Sequence, residues 1–116
     1  MLEKSKQLIN LAKIFDPRGN LTVVEQNKNI PFYIKEVRWL YGIRADSSLP
    51  VQTSQGQKFI VPLSGSFRVR MVHDDTEDSF LLNHPYQGLL VESGSQYTIE
   101  NVARGSVCLV IDSQEA

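Results

Sequence analysis

Apolar and polar residues alternate with a period of two along much of the chain, in short runs bounded by turn residues. No segment sustains the 3.6-residue apolar period over the turns that a packed helix needs, so the pattern predicts an all-β chain. The clearest strand runs from Gln57 to Leu63, with Phe59, Val61 and Leu63 on one face. After the turn at Ser64-Gly65, Phe67, Val69 and Met71 alternate with Arg68 and Arg70, so the two segments are expected to pair as a hairpin. Further strands are expected near Gln7–Leu11, Leu21–Gln26, Glu36–Gly42, Ser79–Leu82, Gly88–Val91, Tyr97–Val102 and Ser106–Ile111. That spacing suits a sandwich or barrel. Pro62 interrupts its strand and belongs at an edge or a bulge, where its missing N–H is not needed. The acidic stretch His73-Asp74-Asp75-Thr76-Glu77-Asp78 reads as a solvated turn, because its spacing matches no calcium loop.

With 116 residues the chain has material for one hydrophobic core, so residues 1–116 are read as a single domain. Hydrophobic residues at 41% and charged residues at 22% exclude collagen-like, low-complexity and wholly disordered readings. Twelve Lys+Arg against thirteen Asp+Glu leave a formal charge of -1, which supplies no broad positive field for nucleic acid. No apolar run reaches the roughly 20 residues of a membrane span. Nor does Met1-Leu2-Glu3-Lys4-Ser5-Lys6 lead into a secretory leader, so a cytoplasmic location is expected. Cys108 stands alone within Val107-Cys108-Leu109-Val110-Ile111 and reads as a buried thiol acting as a small hydrophobe.

The chain has no Gly-rich phosphate loop, no Cys-x-x-Cys, no His-Glu-x-x-His and no Gly-x-Ser-x-Gly. Its two histidines, His73 and His84, fall in separate turns without partners at ligand spacing, so neither a metal site nor a histidine base is expected.

The stretch Asp16-Pro17-Arg18-Gly19-Asn20-Leu21 is followed by Glu25-Gln26-Asn27-Lys28-Asn29-Ile30-Pro31-Phe32 and then Ile34-Lys35-Glu36-Val37. Together they resemble the opening of the dTDP-sugar 3,4-ketoisomerases, small cupin proteins related to the WxcM-like domain. The likeness continues at Leu63-Ser64-Gly65-Ser66, Asn83-His84-Pro85-Tyr86-Gln87-Gly88-Leu89 and Val107-Cys108-Leu109-Val110, and covers nearly the whole chain. It implies a cupin-type β-jelly roll, paired as a homodimer and free of cofactor. The implied ligand is a dTDP-linked 4-oxo-6-deoxy sugar of polysaccharide biosynthesis. The family reaction moves a carbonyl from C4 to C3 through an enediol, which requires a base titrating near neutrality.

Family members supply that base from a His-x-His pair. The matching positions here are Val51 and Thr53, with Gln52 between them, and a one-residue slip offers only Pro50, Gln52 or Ser54. The family's later Trp-His pair is Gln96-Tyr97, and the sequence ends at Ala116, before the family's Tyr/Asp-rich segment. Tyr41, Tyr97, Glu92 and Glu100 remain as substitute proton carriers, although a tyrosine near pKa 10 and a glutamate near 4.3 are poorly matched to a neutral base.

By strand parity, Val51, Thr53 and Gln57 fall with Phe59 and Val61 and are expected to face the barrel interior, as core or as the wall of a sugar pocket. Arg68 and Arg70 either meet a diphosphate or form a solvated face. Trp39 and Tyr41 share one face of their strand and either pack in the core or stack on a ligand ring. The candidate ligand residues are thus Trp39, Tyr41, Thr53, Gln57, Arg68, Arg70 and Tyr97, with no metal ligand. The leading expectation is a non-catalytic nucleotide-sugar or partner-binding cupin. The alternatives are an isomerase with relocated catalytic residues and a dimeric interaction module.

Overall fold

A computed structural model describes residues 7–114. Its elements are the strands β1 (Leu8–Asn10), β2 (Ile14–Asp16), β3 (Gly19–Leu21), β4 (Ile34–Leu40), β5 (Gln52–Thr53) and β6 (Lys58–Ser64), followed by β7 (Phe67–His73), β8 (Thr76–Leu82), β9 (Gln87–Val91), β10 (Gln96–Glu100) and β11 (Val107–Ser113). A five-stranded antiparallel sheet in the order β1-β9-β6-β11-β4 faces a four-stranded one in the order β5-β10-β7-β8. This is the cupin-like jelly roll that the sequence predicts.

The expected hairpin between β6 and β7 does not form. Gly65 turns the chain out of one sheet and into the other, so β7 pairs with β8 and β10, while β6 pairs with β9 and β11. Alternation along a strand does not reveal which strand lies alongside.

β6 is apolar on both faces. Ile60 joins Phe67, Val69, Met71, Phe80, Leu82 and Val110 between the sheets. Phe59 and Val61 point the other way, into a second cluster roofed by Leu11, Ile30 and Phe32. The expected placement of Val51, Thr53 and Gln57 in the interior with Phe59 and Val61 therefore fails, because the interior belongs to Ile60's parity. Pro62 sits opposite the register shift at Val107/Cys108 and beyond the last β9 pair at Ile60, which is the bulge its missing N–H requires.

Two other segments differ from the pattern. The expected strand over Leu21–Gln26 ends at Leu21, and the following block is a loop fastened by side chains. Asn29 accepts from the Glu25 N–H at 2.7 Å and donates to the Val23 carbonyl, and Gln26 accepts from the Ile34 N–H. The acidic turn shrinks to Asp74-Asp75, both at positive φ, with β7 and β8 paired up to His73 and Thr76.

The Gly65 turn rests on buried Ser106, whose Oγ accepts from the Ser66 N–H and donates to main-chain carbonyls. Gly65 has φ +74, and a Cβ there would lie 2.2 Å from Ser106 Oγ and 2.7 Å from Ser106 Cα. Gly94 has φ +86 but open space around it. Gly65→Ala is expected to destabilise by about 2–4 kcal/mol, from left-handed strain plus collision. Gly94→Ala should cost only about 1–2 kcal/mol from strain alone. Urea denaturation of the two variants checks the difference, and equal costs would contradict the packing assigned to Gly65.

Candidate functional site

The parity of Ile60 and Val110 decides which side chains enter the space between the sheets. Val110 lies opposite both Ile60 and Arg38, so Arg38 faces inward from β4. One step along, Asp112 lies opposite Lys58 and Glu36. Across the gap, Tyr97 on β10 is registered with Met71 on one side and Gln52 on the other, so Gln52 faces inward as well. Lys58, Asp112, Arg38, Tyr97 and Gln52 thus gather at one mouth of the barrel.

They form a continuous polar chain. Lys58 Nζ donates to Asp112 Oδ1, and Arg38 meets the same carboxylate through Nε at 3.0 Å and Nη2 at 3.4 Å. Glu36 lies 3.2 Å from Arg38 Nε. The Tyr97 hydroxyl lies against the guanidinium and donates to Gln52 Oε1 at 3.0 Å. Arg38, Leu40, Leu49, Pro50, Gln52 and Tyr97 line a recess of about 70 Å³. Beside it lies a cleft of about 170 Å³, which includes Lys35, Glu36, Gln57, Lys58 and Asp112 in its walls. Gln57 is part-buried there, and its Oε1 has no hydrogen-bond partner.

Burial raises the pKa of the Tyr97 hydroxyl, with Arg38 pulling the other way. It therefore keeps its proton and acts as a donor. Burial alone would raise Asp112, yet the bonds from Lys58 and Arg38 outweigh it and hold the carboxyl below its ordinary range. Arg38 is held above its usual value despite partial burial, chiefly by Asp112. The mouth thus presents fixed donors and a fixed cation. Burial pushes the Cys108 thiol up to about 12, so it is an inert core group, as its apolar setting predicts.

Of the candidate residues, only Tyr97 enters this mouth fully, with Gln57 in the wall of the adjoining cleft. Val51 and Thr53 are exposed on the opposite parity, because Thr53 is registered with Gln96 rather than with Tyr97. Trp39 and Tyr41 are 57% and 73% exposed on the outer face of the five-stranded sheet, where they line an apolar depression with Leu63, Val107 and Leu109. Neither packs in the core. Arg68 and Arg70 lie on the outer face of the other sheet, where Arg68 bonds Ser79 and Arg70 pairs with Glu77 and Glu100.

The remaining proton-carrier candidates are also elsewhere. Tyr41 is on the outer face, Glu100 is paired with Arg70, and Glu92 faces His73 at 3.5 Å. His73 Nδ1 is 2.8 Å from Ser95 Oγ, and His84 stacks on Tyr86. Among the described residues, no group of three or more His, Cys, Asp and Glu gathers as a metal site. No described helix is long and apolar enough to cross a membrane.

Sequence reading missed Arg38, Gln52, Lys58 and Asp112. The available signal was Arg38 alternating with Trp39. Aromatic residues normally mark the buried face, and here they mark the outer one.

Known proteins share this architecture at about a quarter to a third sequence identity. The family described as FdtA (WxcM-like, C-terminal) matches residues 4–115. The TDP-4-oxo-6-deoxy-alpha-D-glucose-3,4-oxoisomerase of Aneurinibacillus thermoaerophilus is 30% identical over 108 residues, covering 92% of this chain and 78% of that protein. QdtA, a sugar 3,4-ketoisomerase from Thermoanaerobacterium thermosaccharolyticum solved in complex with TDP, superposes with a TM-score of 0.82 at 28% identity, covering 90% of this chain and 77% of its own. The WlaRB TDP-quinovose 3,4-ketoisomerase from Campylobacter jejuni gives a TM-score of 0.85 at 26% identity, with 90% and 81% covered.

The lowered pKa of Asp112 sets an acid limit on the mouth. The stabilisation it contributes is complete above the unfolded carboxyl value near 3.8 and is lost as pH falls through the lower folded value. The urea midpoint should therefore fall on acidification below about pH 4, and Asp112→Asn should lower the neutral-pH midpoint and flatten that acid limb. An acid limb unchanged in Asp112→Asn would show that the carboxylate is not held as described.

Proposed function

The chain belongs to the FdtA, WxcM-like family, and from that premise we propose that it binds a TDP-linked 4-oxo-6-deoxy sugar at the Arg38–Tyr97–Gln52 mouth without turning it over at an isomerase's rate. The observation that carries this reading is the pair of inward N–H donors, the Arg38 guanidinium and the Gln52 carboxamide, braced by the Tyr97 phenol in a place where no imidazole stands. Donors of this kind suit the oxygen atoms of a sugar or a phosphate. A positioned base contributes about 10²- to 10⁴-fold in rate. Tyr97 keeps its proton and Asp112 is engaged by two cations, so neither replaces the base.

The recess is far smaller than the roughly 300–1,000 Å³ of a pocket that encloses a whole ligand. Binding in this reading is therefore at the mouth, with most of the nucleotide outside the barrel. The single buried thiol suits a reducing, cytoplasmic compartment.

The same reading includes a homodimer. Among the described residues β2 and β3 pair only with each other, and Ile14, Phe15 and Leu21 on this arm are 46%, 83% and 50% exposed. On the outer face of the five-stranded sheet, the Trp39–Tyr41 depression shares Leu63 and Leu109 with a groove of about 410 Å³ beneath the arm. Such a contiguous apolar surface favours cover by a second copy.

Calorimetry with TDP and with TDP-4-oxo-6-deoxyglucose tests the ligand. A saturable heat is expected, with no solvent deuterium entering the sugar ring above the protein-free rate. A flat titration at millimolar ligand would leave only the interaction-module alternative, and rapid deuterium uptake would restore an isomerase. Sedimentation should give a dimer at micromolar concentration that Trp39→Asp with Phe15→Asp shifts to monomer; a monomeric parent would remove the dimer.

A further inference from the structure

Arg38 carries five N–H donors, and its protein partners are the carboxylates of Asp112 and Glu36 and the Tyr97 hydroxyl, which leave donors over. Both carboxylates meet it on the Nε side, Asp112 through Nε and Nη2 and Glu36 at Nε. The Nη1–Nη2 edge carries no carboxylate among these contacts, and a guanidinium edge matches two phosphate oxygens in a fork. The surrounding charge permits an anion. Lys35, Arg38 and Lys58 stand against Glu36 and Asp112, which leaves one positive charge at the junction of the recess and the cleft.

The orientation of that edge is imposed. Asp112 has a side chain only 16% exposed, and Lys58 grips it from the far side. Two strands and a buried ammonium therefore fix the carboxylate that aims the guanidinium. Arg38 itself lines the Tyr97–Gln52 recess, and its partners Glu36, Lys58 and Asp112 line the cleft of about 170 Å³. Arg68 and Arg70, the arginines that alternation singles out, are committed to the outer face and do not reach it.

We propose that Arg38 is the phosphate-recognition residue of this mouth, with Asp112 and Lys58 as its positioning pair, and that a nucleoside diphosphate lies over its Nη1–Nη2 edge. The assignment rests on the ligand reading above and adds which residue holds the diphosphate. Asp112 is a like-charge neighbour of the ligand as well as the group that aims Arg38. The two roles predict opposite signs when its charge is removed. Loss of a repelling carboxylate strengthens phosphate binding, and loss of the aiming group weakens it.

Calorimetry with TDP and with inorganic pyrophosphate, on the full chain at two salt concentrations, separates these cases. Arg38→Met should weaken TDP by about 10- to 100-fold and reduce the salt dependence. Arg38→Lys should recover only part of the loss, because an ammonium is a point charge without a fork. Asp112→Asn should also weaken TDP, and pyrophosphate should follow the same order across the variants. Arg38→Met binding TDP within twofold of the parent, while the parent binds well, would overturn this assignment and leave the ligand reading standing. A parent that binds neither TDP nor its sugar would overturn both. Asp112→Asn binding more tightly than the parent would overturn the positioning role. Arg38 is 45% exposed, so Arg38→Lys, with its charge and most of its stem retained, serves if Arg38→Met fails to fold.

Discussion

The double burial of β6 is the constraint on which the molecule depends. Phe59, Ile60 and Val61 are successive residues at 0%, 0% and 2% exposure, which is possible only when a sheet is covered on both sides. The second sheet covers Ile60, and the segment carrying Leu11, Ile30 and Phe32 covers the other two. Strand register then propagates this choice sideways through Val110 to Arg38, and one step further through Asp112 to Lys58. A slip of one residue would send Arg38 to the outside and Trp39 to the inside.

The fold was legible because β-sheet periodicity is local. Most strands fall where β-branched and aromatic residues alternate, and Cys108 and Pro62 behave as their neighbours and backbone chemistry require. What was not legible is which face of a strand looks inward when both faces are apolar. Phe59-Ile60-Val61 carries no sign of which side holds the other sheet, so Val51 and Thr53 were placed in the wrong layer. Pairing is non-local for the same reason, and the β6–β7 turn looks like a hairpin until β10 and β8 are known to flank β7. The site suffered most. Arg38 and Asp112 are 74 residues apart and meet only through the β4–β11 ladder.

At Asp112, electrostatics outweighs desolvation. Burial alone would raise the pKa of Asp112, and two cations reverse that, so a charge normally excluded from a barrel is retained there. Burial raises the Tyr97 hydroxyl against the pull of the Arg38 guanidinium, and it stays neutral. The outcome at these two groups is an ionised carboxylate beside a neutral phenol, an arrangement suited to holding oxygen atoms in place. The solved relatives share the barrel, and a shared barrel does not by itself fix the chemistry at its mouth.

Among the described residues β4 is an edge strand at the margin of the five-stranded sheet, and the Ile34 amide and carbonyl at its start are met by the side chains of Gln26 and Gln114. Such a margin invites endless strand addition between molecules. Lys35, Glu36 and Arg38 set alternating charge along it, and a bulge at Asp112/Ser113 bends its end. In the dimer proposed above, a second copy seated on the apolar face of the sheet would leave this margin outside the contact, so that assembly would close on itself instead of running on as a fibre.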